Sequence, residues 1–265
     1  MRTTVLIAIL GLLAICIIAV SACDSGSSNN ESVAPESRNG EESDSEGGSS
    51  IVSVATETAS GYALSSPNTA GVVSVESALE SRRSRRDFQD IPLKEEQLSQ
   101  LLWAAYGVTL PSTDASHRGG LRTAPSAGST YPLELYAIVG NVEGIESGVY
   151  KYISADHTIE RIIDRDIRYE LSEAALGQKM VSQAPVALFY SAVFSRTTDR
   201  YGERGLSFVY VEAGHSAQNI YLQAEALGLG ACATGAFTDS QVRRLLDLPD
   251  EEEPVYIMLV GYTDD

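Results

Sequence analysis

A sharp change in composition near residue 72 limits what this chain can fold into. Between residues 24 and 71 the sequence is rich in Ser, Asn, Gly and Glu, and it has hardly a large apolar residue before Ile51. Such a segment cannot bury enough surface to offset the entropy that is lost on ordering. We therefore predict that residues 23–71 form a flexible acidic tether and that residues 72–265 form the folded domain.

The first 22 residues have the features of an export signal. Arg2 is their only charged residue, a nearly unbroken apolar run covers residues 5–20, and small residues precede Cys23. This order is typical of a signal peptide, and the apolar run is short for a membrane-spanning helix. Cys23 resembles the acylated cysteine of a bacterial lipobox. We therefore predict a lipoprotein that is exported and anchored by lipid to a membrane of the cell envelope, the alternative being ordinary signal cleavage without acylation.

Charge and residue content argue against several functional classes. The formal net charge of −17 disfavours nucleic-acid binding through a general positive field. If Cys16 leaves with the signal and Cys23 carries lipid, Cys232 remains alone and no disulfide can form. The three histidines lie far apart without metal-ligand spacing, and no Gly-x-Ser-x-Gly motif is present. We therefore expect neither a metal site nor a hydrolase.

Hydrophobic periodicity in residues 72–265 predicts an α+β domain. Alternating or continuous apolar residues predict strands near residues 133–139, 149–152, 158–163, 185–193 and 254–261. The longest helical pattern covers residues 206–227. Its apolar face contains Val209, Ala213, Ala217, Ile220, Ala224 and Leu227. Because this helix is apolar on more than one side, it suits a core or a subunit interface. Without a regular βαβ repeat, the elements predict a layered α+β fold.

Four arginines within five residues stand out in so acidic a chain. They belong to the segment Arg82, Arg83, Ser84, Arg85 and Arg86, at the exit of a short helical pattern. Guanidinium groups present a fork of donors that suits phosphate, and a Ser hydroxyl adds a donor. The alternative is a solvated basic run that offsets the dipole at a helix end.

Two runs of small residues can bring backbone close to a ligand. One covers residues 122–132 and the other residues 228–237. Small side chains permit close approach, and exposed amides and hydroxyls can bond the polar edge of a flat molecule. For the first run, a plain turn into the following strand is the alternative.

Taken together, four segments resemble the FMN-dependent nitroreductase family. They are residues 82–88, residues 124–134, residues 200–205 together with 212–219, and residues 228–237. The resemblance covers about residues 72–262 and is greatest for the branch that includes the thiazoline and oxazoline dehydrogenases of peptide-toxin biosynthesis. It implies a mixed, mainly antiparallel sheet flanked by helices, a homodimer, and FMN as the cofactor.

The resemblance also implies which residues bind the cofactor. The positions that hold the FMN phosphate, ribityl chain and ring edge are matched by Arg82, Arg83, Ser84 and Arg86. The loop that lies along the flavin from the second subunit is matched by Pro125, Ser126 and Ala127. The backbone near flavin N5, with the residues that lead into it, is matched by Ala233, Thr234, Gly235 and Ala236.

The chemistry implied by the family is hydride transfer through flavin N5 to an unidentified small or peptide-derived substrate. Azoline-oxidising members carry a Lys-Tyr pair, whereas the matching positions here are Arg200 and Tyr201. Since Arg is effectively always protonated, we expect Arg200 to stabilise the reduced flavin, Tyr201 to donate a proton, and azoline oxidation to be absent. Export would separate the chain from cytoplasmic NAD(P)H, which leaves the electron donor open. The alternative function is a non-catalytic flavin-binding or ligand-binding lipoprotein.

Overall fold

An eight-stranded sheet forms the centre of the computed structural model, which describes residues 56–58 and 61–264. The ten strands of the described residues are β1 (Thr56–Thr58), β2 (Gly61–Ala63), β3 (Val108–Pro111), β4 (Gly120–Arg122), β5 (Leu133–Val139), β6 (Gly148–Ile153), β7 (Thr158–Ile163), β8 (Val186–Ala192), β9 (Gly230–Thr234) and β10 (Glu253–Gly261). Strands β3 and β4 pair with each other in a separate two-stranded antiparallel sheet, and the other eight form the central sheet. The helices are α1 (Val75–Ser81), α2 (Glu95–Tyr106), α3 (Arg168–Ala174), α4 (Lys179–Gln183), α5 (Ser195–Tyr201), α6 (Arg204–Ala226) and α7 (Asp239–Leu246).

The sheet has the strand order β1-β2-β7-β6-β5-β8-β10-β9, and each neighbouring pair is antiparallel. Side chains alternate between its faces, as the two-residue period of a strand requires. Leu135 and Ala137 of β5 therefore join the apolar layer that contains α2 and α6, whereas Tyr136 and Ile138 join the layer that contains α3 and α7. This layered, mainly antiparallel α+β architecture confirms the predicted fold class.

Helix α6 covers 23 residues and closely matches the predicted helical pattern. Five of the six residues of the predicted apolar face are buried, namely Val209, Ala213, Ala217, Ile220 and Ala224. They pack in one cluster with the buried leucines of α2. The chain leaves the helix through Gly228, whose φ of 69° lies in the left-handed region that glycine adopts without strain.

The predicted start of the folded domain at residue 72 is corrected by β1 and β2, which lie within the range predicted as a tether. Tyr62 is buried, and its ring meets that of Tyr150 edge-on at 5.8 Å between centroids. The Ser65 N–H donates to Glu95 at 2.9 Å. A segment poor in apolar residues can join a sheet because strand pairing uses backbone groups. The predicted signal peptide, Cys23 and residues 24–55 lie outside the described residues.

None of the helices within residues 56–58 and 61–264 is long and apolar enough to cross a membrane.

Candidate functional site

The arginine segment lies along the edge strand β9. Helix α1 ends at Ser81 with Arg82 as its C-cap, so the arginine segment begins at a helix exit as the sequence pattern predicts, and the following residues run beside the strand. Ser84 forms a parallel bridge with Ala231, and the Arg85 N–H donates to the Ala231 carbonyl at 2.9 Å. Backbone pairing therefore places the predicted phosphate-binding residues next to the strand that leads to the predicted N5 backbone.

The arginines of this segment have two different roles. Arg85 forms an ion pair with Glu225 of α6, and only 18% of its side chain is exposed, so it fastens the segment to the helix. By contrast, Arg82, Arg83 and Arg86 form no ion pair with any carboxylate of the described residues. The Nη1 atom of Arg83 donates only to backbone carbonyls, at 2.8 Å. Among the residues that the structure describes, three guanidinium charges thus remain without a paired carboxylate, which suits an anionic ligand.

Tyr221 of α6 connects these arginines to β9. Its hydroxyl accepts a hydrogen bond from the Ala233 N–H at 2.8 Å and lies 3.1 Å from Ser84 Oγ. The guanidinium of Arg82 lies over its ring, 5.2 Å from the centroid. Sequence reasoning missed Tyr221. Its aromatic ring in a helix rich in small residues, shortly before Gly228, was the available signal.

At the C-terminal end of β9, residues 234–236 form a turn that is held by Gln178. Thr234 Oγ1 donates to Gln178 Oε1 at 3.2 Å, and Gln178 Nε2 donates to the Ala236 carbonyl at 2.9 Å. The Ala236 N–H donates back to Thr234 Oγ1 at 3.2 Å. Gly235 and Ala236 are exposed, so the turn presents its backbone to solvent. We call Arg82, Arg83, Ser84, Arg86 and residues 233–236 the phosphate cluster.

The other predicted residues form a second group, the loop cluster, which contains Pro125, Ser126, Ala127, Arg200 and Tyr201. Arg200 Nη1 donates to the Gly128 carbonyl at 3.0 Å. A Cβ atom on Gly128 would lie 2.5 Å from Tyr201 Oη and 2.8 Å from Arg200 Nη1. A side chain at position 128 would therefore displace the ends of both of these side chains.

Glu212 of α6 contacts the loop cluster through Ser126. It is buried, and its carboxylate accepts a hydrogen bond from the Tyr106 hydroxyl. Burial raises the pKa of Glu212 to about 7, although hydrogen bonding to Ser126 and Tyr106 and the charge of Arg122 oppose the rise. Burial, and then Glu212, raises the pKa of Tyr106. No local pattern in the sequence predicts that a carboxylate within the apolar helix α6 contacts the loop.

The two clusters lie at different positions along α6. Glu212 and Tyr221 are nine positions apart in one helix, which corresponds to about 14 Å at 1.5 Å per residue. No hydrogen bond or ion pair joins the clusters within the described residues. Within the described part of one chain, the residues of each cluster therefore lie together, but the phosphate cluster and the loop cluster remain apart.

Other reactive side chains have structural environments. His157 lies 2.8 Å from both the Ser99 and Tyr152 hydroxyls, and burial lowers its pKa. Cys232 is buried, and burial raises the pKa of its thiol. In the part of the chain that the structure describes, no group of three or more His, Cys, Asp or Glu residues could hold a metal ion.

Comparison with known proteins identifies relatives of this architecture. A protein of Methanocaldococcus jannaschii, named as a candidate nitroreductase, is 46% identical over 71% of this chain and 91% of its own length. A crystal structure of a candidate nitroreductase from Ralstonia eutropha superposes with a TM-score of 0.65 and 31% identity, covering 77% of this chain and 89% of that one.

Two further relatives match over shorter regions. The trifolitoxin-processing protein of Rhizobium leguminosarum bv. trifolii is 32% identical over 48% of this chain and 35% of its own length. An FMN reductase [NAD(P)H] of Bacillus subtilis is 28% identical over 47% of this chain and 55% of its own length. The model of the nitroreductase family matches residues 79–262, which include both clusters. This chain therefore belongs to the nitroreductase family.

Proposed function

We propose that this protein is an FMN-dependent oxidoreductase that transfers hydride to a small or peptide-derived substrate. One observation carries the proposal: the segment that holds three guanidinium groups without a described carboxylate partner pairs with β9, the strand that leads to the exposed backbone of Gly235 and Ala236. Guanidinium groups without a partner suit a phosphate, and an exposed backbone with small side chains lets a flat ring approach closely. Membership of the nitroreductase family and the similarity to an FMN reductase support the same cofactor.

The donor set of the phosphate cluster fits FMN. Arg82, Arg83 and Arg86 would bind the phosphate, and the Ser84 hydroxyl would add a neutral donor. Tyr221 and Gln178 would hold the surrounding backbone in place, because both are fixed by hydrogen bonds to residues 233–236. When bound, FMN would supply the redox chemistry, accepting and donating hydride at N5.

Arg200 and Tyr201 would act on the substrate side of the site. A guanidinium cannot serve as a general base near neutral pH, so Arg200 would contribute positive charge and Tyr201 a proton. The trifolitoxin-processing relative supports a place near the peptide-toxin branch. The Lys-to-Arg replacement nevertheless favours reduction of an acceptor over the proton removal that azoline oxidation needs.

A homodimer would complete the site. Leu206, Tyr210 and Val211 are exposed along α6, at 45%, 58% and 53% of their surfaces, next to the exposed Gly214. A second copy packed on this stripe would cover it and could bring its loop cluster to the phosphate cluster of the first. We expect Tyr210→Glu to shift sedimentation to the monomer and to lower FMN uptake, whereas Tyr169→Glu, at a site that is 68% exposed on α3, should do neither.

We further propose that Cys23 is lipidated and holds the domain at a membrane of the cell envelope, a proposal that rests on the sequence pattern alone. Cys23→Ala should release the protein into the soluble fraction. A variant that stays in the membrane with residues 1–22 uncut would contradict lipidation and indicate that the apolar run itself is the anchor. An exported enzyme would need a donor other than cytoplasmic NAD(P)H.

The decisive experiment is an absorbance spectrum of the purified full chain, followed by reduction and reoxidation. We expect a flavin band with about one FMN per chain, bleached by a reductant and restored by a nitro or quinone acceptor. Flavin that binds without electron exchange would instead support a non-catalytic binding protein. A chain that carries no flavin and takes up none when FMN is added would overturn the proposal.

A further inference from the structure

A second basic site lies beside the loop cluster, away from the phosphate cluster. It is a cavity of about 490 Å³ between α5, the loop after β3 and the segment that follows Gly128. Its lining includes the polar side chains of Arg118, Ser129, Thr130, Arg196, Asp199 and Arg200. Three guanidinium groups around one cavity are unusual in a chain whose net charge is −17.

The three arginines differ in how far their charges are balanced. Arg196 Nη1 lies 2.6 Å from Glu134 Oε1, so this charge is paired. In the described part of the chain, the Arg200 guanidinium donates only to the Gly128 carbonyl, at 3.0 Å. The guanidinium of Arg118 makes no hydrogen bond or ion pair within the described residues. With Asp199 as the only acidic side chain of the lining, one positive charge remains uncompensated.

The surroundings of Arg118 disfavour its own charge. Although Arg118 is an exposed residue, partial desolvation and then the like charge of Arg196 lower its pKa, and Glu134 opposes this. An anion in the cavity would relieve the repulsion between the two guanidinium groups. The hydroxyl of Ser129 lines the same space and could add a donor to an oxyanion, whereas the Thr130 hydroxyl already bonds the Ala127 carbonyl and Thr197.

From this geometry we propose that the cavity binds the anionic group, a carboxylate or a phosphate, of the small molecule on which the protein acts. The cavity shares Arg200 with the loop cluster and is also lined by Gly128, which follows Ala127 of that cluster, and Tyr201 is the residue next to Arg200. An anion held by Arg118 and Arg200 would therefore place the rest of its molecule near the Tyr201 hydroxyl. The redox consequence rests on the proposed function, whereas the anion site itself can be measured independently.

The test is calorimetric titration of the full chain, solubilised in detergent and loaded with FMN so that the phosphate cluster is occupied. Inorganic phosphate and succinate serve as probes at constant ionic strength. We expect saturable binding of at least one probe, and Arg118→Gln should weaken it about tenfold or more, because a charge-assisted contact is lost. Arg244→Gln is the matched control, since Arg244 is an exposed arginine of α7 that does not line the cavity.

The pattern of binding identifies the anionic group. Phosphate alone would indicate a phosphorylated molecule, succinate alone a carboxylate, and either result supports the site if it depends on Arg118. Absence of saturable binding, or binding that Arg118→Gln leaves unchanged, would overturn it.

If the chain takes up no FMN, the same titration is carried out on the chain without FMN. The anion-site proposal can then be tested even though the cofactor proposal has failed. Dependence of probe binding on Arg118 would support the anion site even though the cofactor proposal had failed. Dependence on Arg86 with none on Arg118 would overturn the anion site.

Discussion

Two regions that contact the same helix handle charge in opposite ways. At the C-terminal part of α6, Arg82, Arg83 and Arg86 keep their charges unpaired within the described residues. Near the middle of α6, Glu212 is buried with Tyr106. Free charge at a surface favours ligand binding, whereas a buried, hydrogen-bonded acid fixes the position of neighbouring elements. The phosphate cluster should therefore determine affinity, and the loop cluster should determine geometry and pH dependence.

The strongest test of this contrast removes the free charges. Replacing both Arg82 and Arg86 by Ala should weaken FMN binding by about 3 to 6 kcal/mol, since each charge-assisted bond contributes roughly 1.5 to 3 kcal/mol. That corresponds to a loss of about 100-fold or more in affinity, measured by quenching of flavin fluorescence. Arg244→Ala is the control for loss of an exposed arginine. Unchanged affinity in the double variant would refute the phosphate-site assignment.

Next to the loop cluster, the buried carboxyl group of Glu212 should make the free energy of unfolding depend on pH. Because the pKa of Glu212 rises from 4.5 to about 7 in the folded chain, the folded state retains a proton that the unfolded state releases within this range. The free energy of unfolding should therefore fall as pH rises from about 4.5 to 7, by up to about 3 kcal/mol.

Urea unfolding of the wild type and of Glu212→Gln at several pH values within this window checks the effect. The variant cannot titrate at this position, so its stability should decrease less than that of the wild type. Glu203→Gln, at an exposed position just before α6, should keep the wild-type dependence. Parallel pH profiles for wild type and Glu212→Gln would rule out a buried acid that titrates in this range.

Gly128→Ala tests the packing of the loop cluster. The φ of 60° at Gly128 makes a side chain costly by about 1 to 2 kcal/mol, and the added Cβ would also press on Tyr201 and Arg200. Gly177→Ala is the matched control, because Gly177 has a φ of 71° but no atom near the added Cβ. The difference between the two losses in unfolding free energy measures the contact alone. Equal losses would show that the approach of α5 to the loop is not tight.

The smallest effect is expected for Tyr221→Phe, which keeps the ring beneath Arg82 but removes the hydroxyl. The Ala233 N–H and Ser84 Oγ would both lose a partner, at a cost of about 1 kcal/mol. FMN affinity should then fall about fivefold. Tyr262→Phe removes a hydroxyl that bonds Gln97 instead, and it should leave FMN binding unchanged. A similar loss in both variants would indicate general destabilisation.

Much of the fold was predictable because local spacing determines which face of an element is buried. The alternation at residues 133–139 corresponds to β5, and the apolar face of residues 206–227 corresponds to α6. The start of the ordered domain was placed too late, because β1 and β2 are held by pairing with each other and with β7, and their own composition does not show this.

In the candidate site, the sequence was enough to predict which residues could carry the chemistry, namely the arginine segment, the backbone-exposing runs and the Arg200-Tyr201 pair. The distant residues that support them were found only in the folded chain, such as Tyr221 beside Ser84, Gln178 against residues 234–236 and Glu212 near Ser126. This division arises because local sequence fixes the orientation of a side chain on its own element. Contacts between residues far apart in the chain depend on how whole elements pack, and no local pattern encodes that packing.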